Sequence, residues 1–185
     1  DQEKIGWIIN MAEATKVDWD RTPLAHVPQG NYFEDFAIGT LYRHRLGRTI
    51  TETDNIWFTL LTGNTNPLHF DREYARQAAL EDYLVNSTFT LSLITGLSVA
   101  DLSENAMANL GWTNIVLPVP VRVGDTLRSE SIVVDKRESA SRPYAGIVNF
   151  TTRGLNQSKE EVISFDRTIL VYRRGHGPRA ETANI

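Results

Sequence analysis

The sequence predicts an α+β fold that combines antiparallel strands with one long, buried apolar helix. Three observations predict it. Between about residues 87 and 102, Phe89, Leu91, Leu93, Ile94, Leu97, Val99 and Leu102 surround most of a helix, a pattern that demands burial on nearly all sides. After residue 110 the chain carries β-branched alternation in successive stretches, the signature of antiparallel strands. Between Thr51 and Ala79 two short helical patterns are split by Gly63 and a polar turn.

Length and composition bound the function. At 185 residues the chain makes one domain with a real core. The net charge is -4 and no Lys/Arg block stands out, which excludes nucleic acid as a partner. The longest apolar stretch, Leu91–Leu102, is interrupted by Ser92, Thr95, Gly96 and Ser98, so no membrane span is expected. There is no secretory signal pattern, although a processed start at Asp1 stays open. The absence of cysteine rules out disulfides and thiolate–metal sites and points to a cytoplasmic protein. No metal site is expected.

In chain order, residues 1–30 read as an appendage, with Ile5, Ile8, Ile9 and Ala12 at helical spacing. It either packs on the domain or a partner subunit, or covers the site. Residues 31–174 form the domain proper, starting with a strand over Leu41–Ile50. Thr51 and Thr53 are N-cap candidates for the first central helix, with Glu52 and Asp54 in its first turn, where the dipole favours negative charge. Ile56, Phe58, Leu60 and Leu61 give it apolar surface, and Gly63 ends it. Next come Asn64, Thr65, Asn66, Pro67, Leu68 and His69. Pro67 fixes its own φ and pushes Asn66 toward an extended conformation, so the turn is stiff and His69 well placed. Two amides and an imidazole within six residues make a candidate reactive site. Asp71 either caps the following helix or acts as an acid.

Asn86 to Thr88 offer several caps for the long helix, which at about 16 residues would run about 24 Å. Strand material follows over Leu110–Leu117 and Val119–Val123, around Pro118 and Pro120, with a turn at Gly124–Asp125. Leu127–Val134, Gly146–Gly154 and Val162–Arg173 complete the sheet, with Ile163, Phe165, Ile169 and Val171 on one face. Residues 175–185 read as a loose tail. There are no internal repeats.

The run TGNTNPLHFD over residues 62–71, followed by Tyr74–Ala75, resembles the hydratase motif S/T-G-D-x-N-P-x-H-x-D of MaoC-like dehydratases, the (R)-specific enoyl-CoA hydratases. The lead-in NYFEDFAIG and the segment PVPVRVGDTL resemble that family too, so the likeness covers Tyr32 to Arg174. The phrases LGW, SRP and TRGLNQ resemble its mesaconyl-CoA hydratase (β-methylmalyl-CoA dehydratase) branch. The resemblance implies a single hot-dog fold, its helix wrapped by the sheet and the central helices forming an overhang. It implies a homodimer whose sheets run together, with clefts near the interface. It also implies reversible hydration of a 2-enoyl thioester carried on coenzyme A or a carrier protein, with coenzyme A as part of the substrate and no separate cofactor.

Carried over by position, His69 matches the catalytic histidine and Asn64 stands where the family has its catalytic Asp. Ser87 falls where the family usually has a Gly whose N–H serves the thioester oxygen, with the Thr88 backbone beside it. Thr95 falls where the family often has a hydroxyl near the catalytic pair. Asn66 completes the substrate-binding candidates, although an Asn before Pro usually bonds its own backbone. His44, with Arg43, Arg45 and Arg48, either lines a coenzyme A phosphate site or forms a solvated strand face. An amide can orient water but cannot take its proton. Asn64 therefore leaves three readings: a subgroup in which His69 alone exchanges protons, an inactivating substitution, or a protein that binds a thioester without hydrating it. A tailoring cyclase or isomerase in natural-product biosynthesis is a further alternative. No carboxylate stands at the start of the long helix to support a thioesterase.

Overall fold

The computed structural model of the protein describes residues 30–78, 80 and 82–178. The expected N-terminal appendage falls almost wholly outside them, as does the end of the tail. The chain lays down β1 (Leu41–Thr49), α1 (Glu52–Leu61), α2 (Arg72–Gln77), α3 (Ser87–Leu97), α4 (Val99–Leu102), β2 (Ala106–Val116), β3 (Thr126–Glu138), β4 (Ala145–Leu155) and β5 (Glu161–Tyr172). Single 3₁₀ turns lie at Phe33–Asp35 and Pro67–His69. The five strands form one antiparallel sheet in the order β1-β3-β4-β5-β2.

α3 lies on one face of that sheet, as the hot-dog form requires. Its Phe89 and Ile94 join Ile50, Leu127, Ile163 and Phe165 in one apolar cluster. Gly154 on β4 permits the close approach, since a Cβ there would sit 2.6 Å from Ile94 Cδ1. A second cluster beyond the helix's far end holds Phe33, Phe36, Leu102, Val133, Val148, Phe150, Ile169 and Val171. Buried polar residues also face inward. Ser131 bonds His44 and Thr152, and Arg167 donates to Ser98, Ser103 and Asn109.

Several expectations need correction. The long helix is interrupted at Ser98, whose hydroxyl donates to the Thr95 carbonyl at 2.7 Å. It is also buried on one side rather than nearly all round: Phe89, Thr90 and Ile94 are inside, whereas Val99 is 39% exposed. Val119–Val123 is no strand. Prolines 118 and 120 lack the N–H a ladder needs, and only an isolated bridge between Leu84 and Arg122 forms there. β2 starts earlier than its pattern, because β5 pairs with it from Ala106. β3 runs on through the polar Asp135–Glu138, where β4 supplies its hydrogen bonds. On α1 the buried positions are Asn55 and Thr59, while Leu60 and Leu61 are 57% and 81% exposed. Where the loose tail begins, His176 donates its N–H to Arg173 and its ring lies 6.3 Å from that of Tyr144.

Candidate active site

α1 begins where expected. Thr51 caps it by accepting from the Asp54 N–H, and Asp54 returns a bond to the Thr51 N–H. Arg48 adds an ion pair at 2.6 Å. Burial works to raise the Asp54 pKa, but the Thr51 and Arg48 hydrogen bonds outweigh it and hold the carboxyl below its ordinary range. After Gly63, which adopts a left-handed φ of 68°, the two motif amides build the turn. Asn64 Oδ1 accepts from the Asn66 N–H at 3.0 Å, and Asn66 Oδ1 accepts from the Leu68 N–H at 3.1 Å. Asp71 caps α2 through the Tyr74 N–H at 3.0 Å, which assigns it to the cap rather than to acid chemistry.

The chain then returns from α2 alongside the turn. Leu84 N–H donates to Leu68 O at 3.1 Å and Val85 N–H to Val121 O at 3.0 Å, so residues 84–86 lie between the turn and the 119–123 segment. A polar cluster braces this return. Arg72 pairs with Glu52 and Asp82, and the Tyr83 hydroxyl donates to Glu52 at 3.0 Å. Burial first, and then that bond, push the Tyr83 phenol up.

Here the geometry becomes chemical. His69 Nδ1 lies 2.9 Å from the Leu84 carbonyl oxygen. A carbonyl only accepts, so Nδ1 carries the proton, and in the neutral ring Nε2 holds the lone pair. His69 shares a pocket of about 200 Å³ with Ser87 and Thr90, walled by Val85, Leu117, Val119 and Val121. Ser87 is the first residue of α3, and its N–H has no acceptor among the described residues. That N–H belongs to the positive end of the helix dipole.

The other expected site residues fall elsewhere. The Thr88 N–H is spent on the cap, donating to Asn86 Oδ1 at 3.0 Å, which leaves Ser87 as the open backbone donor. Thr95 lies about 12 Å further along α3. It does not line the pocket, and its buried hydroxyl has no partner among the described residues. Asn64 and Asn66 sit in the turn beside the pocket rather than in its lining. The strand cations are mostly engaged: Arg43 with Glu130, Arg48 with Asp54. His44 is buried, its Nδ1 2.6 Å from Asp101 Oδ2, which takes it off a solvated face; with Arg43 it lines a separate pocket of about 570 Å³ bordered also by Arg128, Arg153 and Lys159. Sequence reasoning missed Thr90 and Asn55, which is fully buried and donates to the His69 and Leu84 carbonyls. Among the described residues there is no cluster of metal-ligating side chains and no helix long and apolar enough to cross a membrane.

The family model for mesaconyl-CoA hydratase matches residues 13–182. The chain belongs to that family. Mesaconyl-CoA hydratase of Cereibacter sphaeroides is 36% identical over 78% of the chain, and 42% of that protein's length is covered. Beta-methylmalyl-CoA dehydratase of Chloroflexus aurantiacus is 34% identical over 83% of the chain and 44% of its own length. A solved MaoC-domain dehydratase from Chloroflexus aurantiacus superposes with a TM-score of 0.77 at 34% identity, covering 82% of this chain and 43% of that one. The fold is thus the hot dog, and the chain spans less than half the length of these relatives.

Proposed function

We propose that the protein catalyses reversible hydration of a 2-enoyl thioester of coenzyme A, with a short acyl group of the mesaconyl type. One observation carries the reading: His69 is held as the Nδ1–H tautomer, its ring in the same pocket as an unengaged N–H at the amino end of α3. In the hydration direction, Nε2 takes a proton from water as its oxygen adds to the β-carbon. Negative charge then builds on the thioester oxygen, where the Ser87 N–H and the helix dipole stabilise it. The protonated Nε2 returns the proton to the α-carbon, so water is added across the double bond and no other reactant is needed. Asn64 lies beside the pocket rather than in its lining; in this reading its NH₂, left over from the turn bond, donates to the water at the pocket's edge. A pocket of about 200 Å³ suits a short acyl chain, since sites for drug-sized ligands run to about 300–1,000 Å³. The protein works as a cytoplasmic homodimer in this reading.

The test is a hydration assay over a panel of 2-enoyl-CoAs that includes mesaconyl-CoA. His69→Ala is expected to lower kcat by at least about a hundredfold while the circular dichroism spectrum persists; unchanged turnover removes His69 from the mechanism. Asn64 in the acid's place also favours a second reading, a thioester-binding subunit without turnover. Binding without hydration, with activity gained by Asn64→Asp, supports that alternative.

A further inference from the structure

Asn55 has no place in the chemistry above, yet it touches both halves of the site. Its Nδ2 donates to the His69 carbonyl at 2.9 Å and to the Leu84 carbonyl at 3.1 Å. Its Oδ1 accepts from the Asn86 N–H at 2.9 Å. The amide orientation follows from chemistry, because two carbonyls can only accept and an N–H can only donate. The side chain is fully buried, with 0% exposure, so each bond is made without competing water.

The Leu84 oxygen that Asn55 holds is the same atom that receives the His69 Nδ1 proton. Asn86, which Asn55 holds from the other side, immediately precedes Ser87 and caps α3. One amide on α1 therefore touches the His69 backbone, the oxygen that receives the imidazole proton, and the residue just before the helix's open N–H. We propose that Asn55 is the positioning residue of this site: it sets the His69 tautomer and the spacing between the base and the Ser87 oxyanion donor. The proposal rests on the hydratase reading for its kinetic consequence, but not for its structural one.

Without the Asn55 donors, the Leu84 carbonyl and the His69 backbone lose a common anchor. The ring is then free to rotate or to shift its proton to Nε2, and that tautomer has no lone pair to offer water. Asn55→Asp keeps the size and the acceptor for Asn86 but removes both donors and sets a carboxylate against two carbonyl oxygens. Asn55→Ser is the second variant if the first does not fold. Thr59→Val is the structural control. Thr59 is equally buried and accepts from Asn86 Nδ2 at 3.2 Å, but touches neither carbonyl.

The decisive measurement is two-bond ¹H–¹⁵N correlation on ¹⁵N-histidine-labelled protein, which reads the His69 tautomer directly. Wild type and Thr59→Val are expected to show the Nδ1–H form, and the Asn55 variants a mixed or Nε2–H pattern. With whichever enoyl-CoA the wild type hydrates, the Asn55 variants are expected to lose about a hundredfold in kcat, with KM changed less than about threefold. A His69 signal unchanged in a folded Asn55 variant overturns the proposal, whatever happens to the melting temperature. A wild type that hydrates no enoyl-CoA defeats the proposed function instead and leaves the spectroscopic result standing.

Discussion

Ser87 offers a sharp test at the scale of one residue, because its side chain and its N–H can be separated. It occupies the first position of α3, where the backbone N–H has no helical acceptor and proline is well tolerated. Asn86 before it already has ψ of 127°, within the range that a following proline demands. Ser87→Pro should therefore remove the open donor and keep the helix. The expected outcome is a loss of about 10²–10³ in kcat on the active enoyl-CoA, with a thermal midpoint close to wild type. Ser87→Gly, which keeps the N–H, should stay within severalfold. Equal activity in the two variants would take the α3 terminus out of the mechanism. At this scale the sequence was legible where a residue acts through local geometry. Pro67 stiffens its turn and places His69, and Asn64 and Asn66 close it through their own backbone bonds. Asn55 was not legible, because its value depends on residues 84–86 returning beside the turn, a contact separated from it by 29 positions for Leu84. Its one signal was an Asn and a Thr at i and i+4 on α1, polar groups that the structure buries completely.

At the scale of elements, α1 departs in part from the usual reading of an amphipathic helix. Of the apolar residues expected to supply its inner face, Phe58 packs against the core beside Phe89, but Leu60 and Leu61 are exposed and the fully buried positions are Asn55 and Thr59. The buried Asn55 is paired by hydrogen bonds to the chain's return segment, while Phe58 supplies apolar contact beside it. The strands were more legible, because β-branched alternation survives wherever one face is buried; β4 and β5 fall within a residue or so of their expected limits. Boundaries set by pairing alone, such as the polar end of β3, were not. One prediction belongs here. Across β1, β3 and β4 the register brings Arg43, Glu130 and Arg153 into a row, and Glu130 accepts from both arginines. The Arg153 hydrogen bonds, against a lesser effect of burial and with help from Arg43, hold its carboxyl below the ordinary 4.5. A depressed folded pKa means that the unfolded chain takes up the proton first as pH falls. The stabilisation is therefore complete above about pH 4.5 and is lost as pH drops through the lower folded value. Both arginines are largely exposed, so screening limits the gain to about 1 kcal/mol or less. In urea denaturation Glu130→Gln should be slightly less stable than wild type at pH 7, and the gap should shrink as the pH falls below the ordinary carboxylate range. A gap that stays constant with pH would mean that the row contributes packing alone.

For the whole molecule, the two edge strands of the sheet are unlike each other among the described residues, and that difference argues for how copies assemble. β1 is a guarded edge. It carries Arg43, Arg45 and Arg48, and its pairing with β3 is broken by an irregularity between Arg43 and Gly47. β2 runs AMANLGWTNIV without one charged residue and exposes Leu110, Trp112, Ile115 and Val116 by 41 to 54%. An uncharged, apolar edge eleven residues long is a template for another strand. The pocket's Leu117, Val119 and Pro120 follow directly after it. A second copy meeting this edge about a two-fold axis would join the two sheets and close each pocket's outer wall with the neighbouring chain. Sedimentation equilibrium should then give twice the 20.9 kDa of the chain. The double substitution Trp112→Lys with Ile115→Lys puts lysines on both copies of the shared edge, so that like charges meet across it. It should yield a folded monomer with KM for the thioester raised at least about tenfold, since the pocket would lose one wall. A wild type that sediments as a monomer while turning over substrate would show that one copy is a complete site and that β2 is simply an exposed edge.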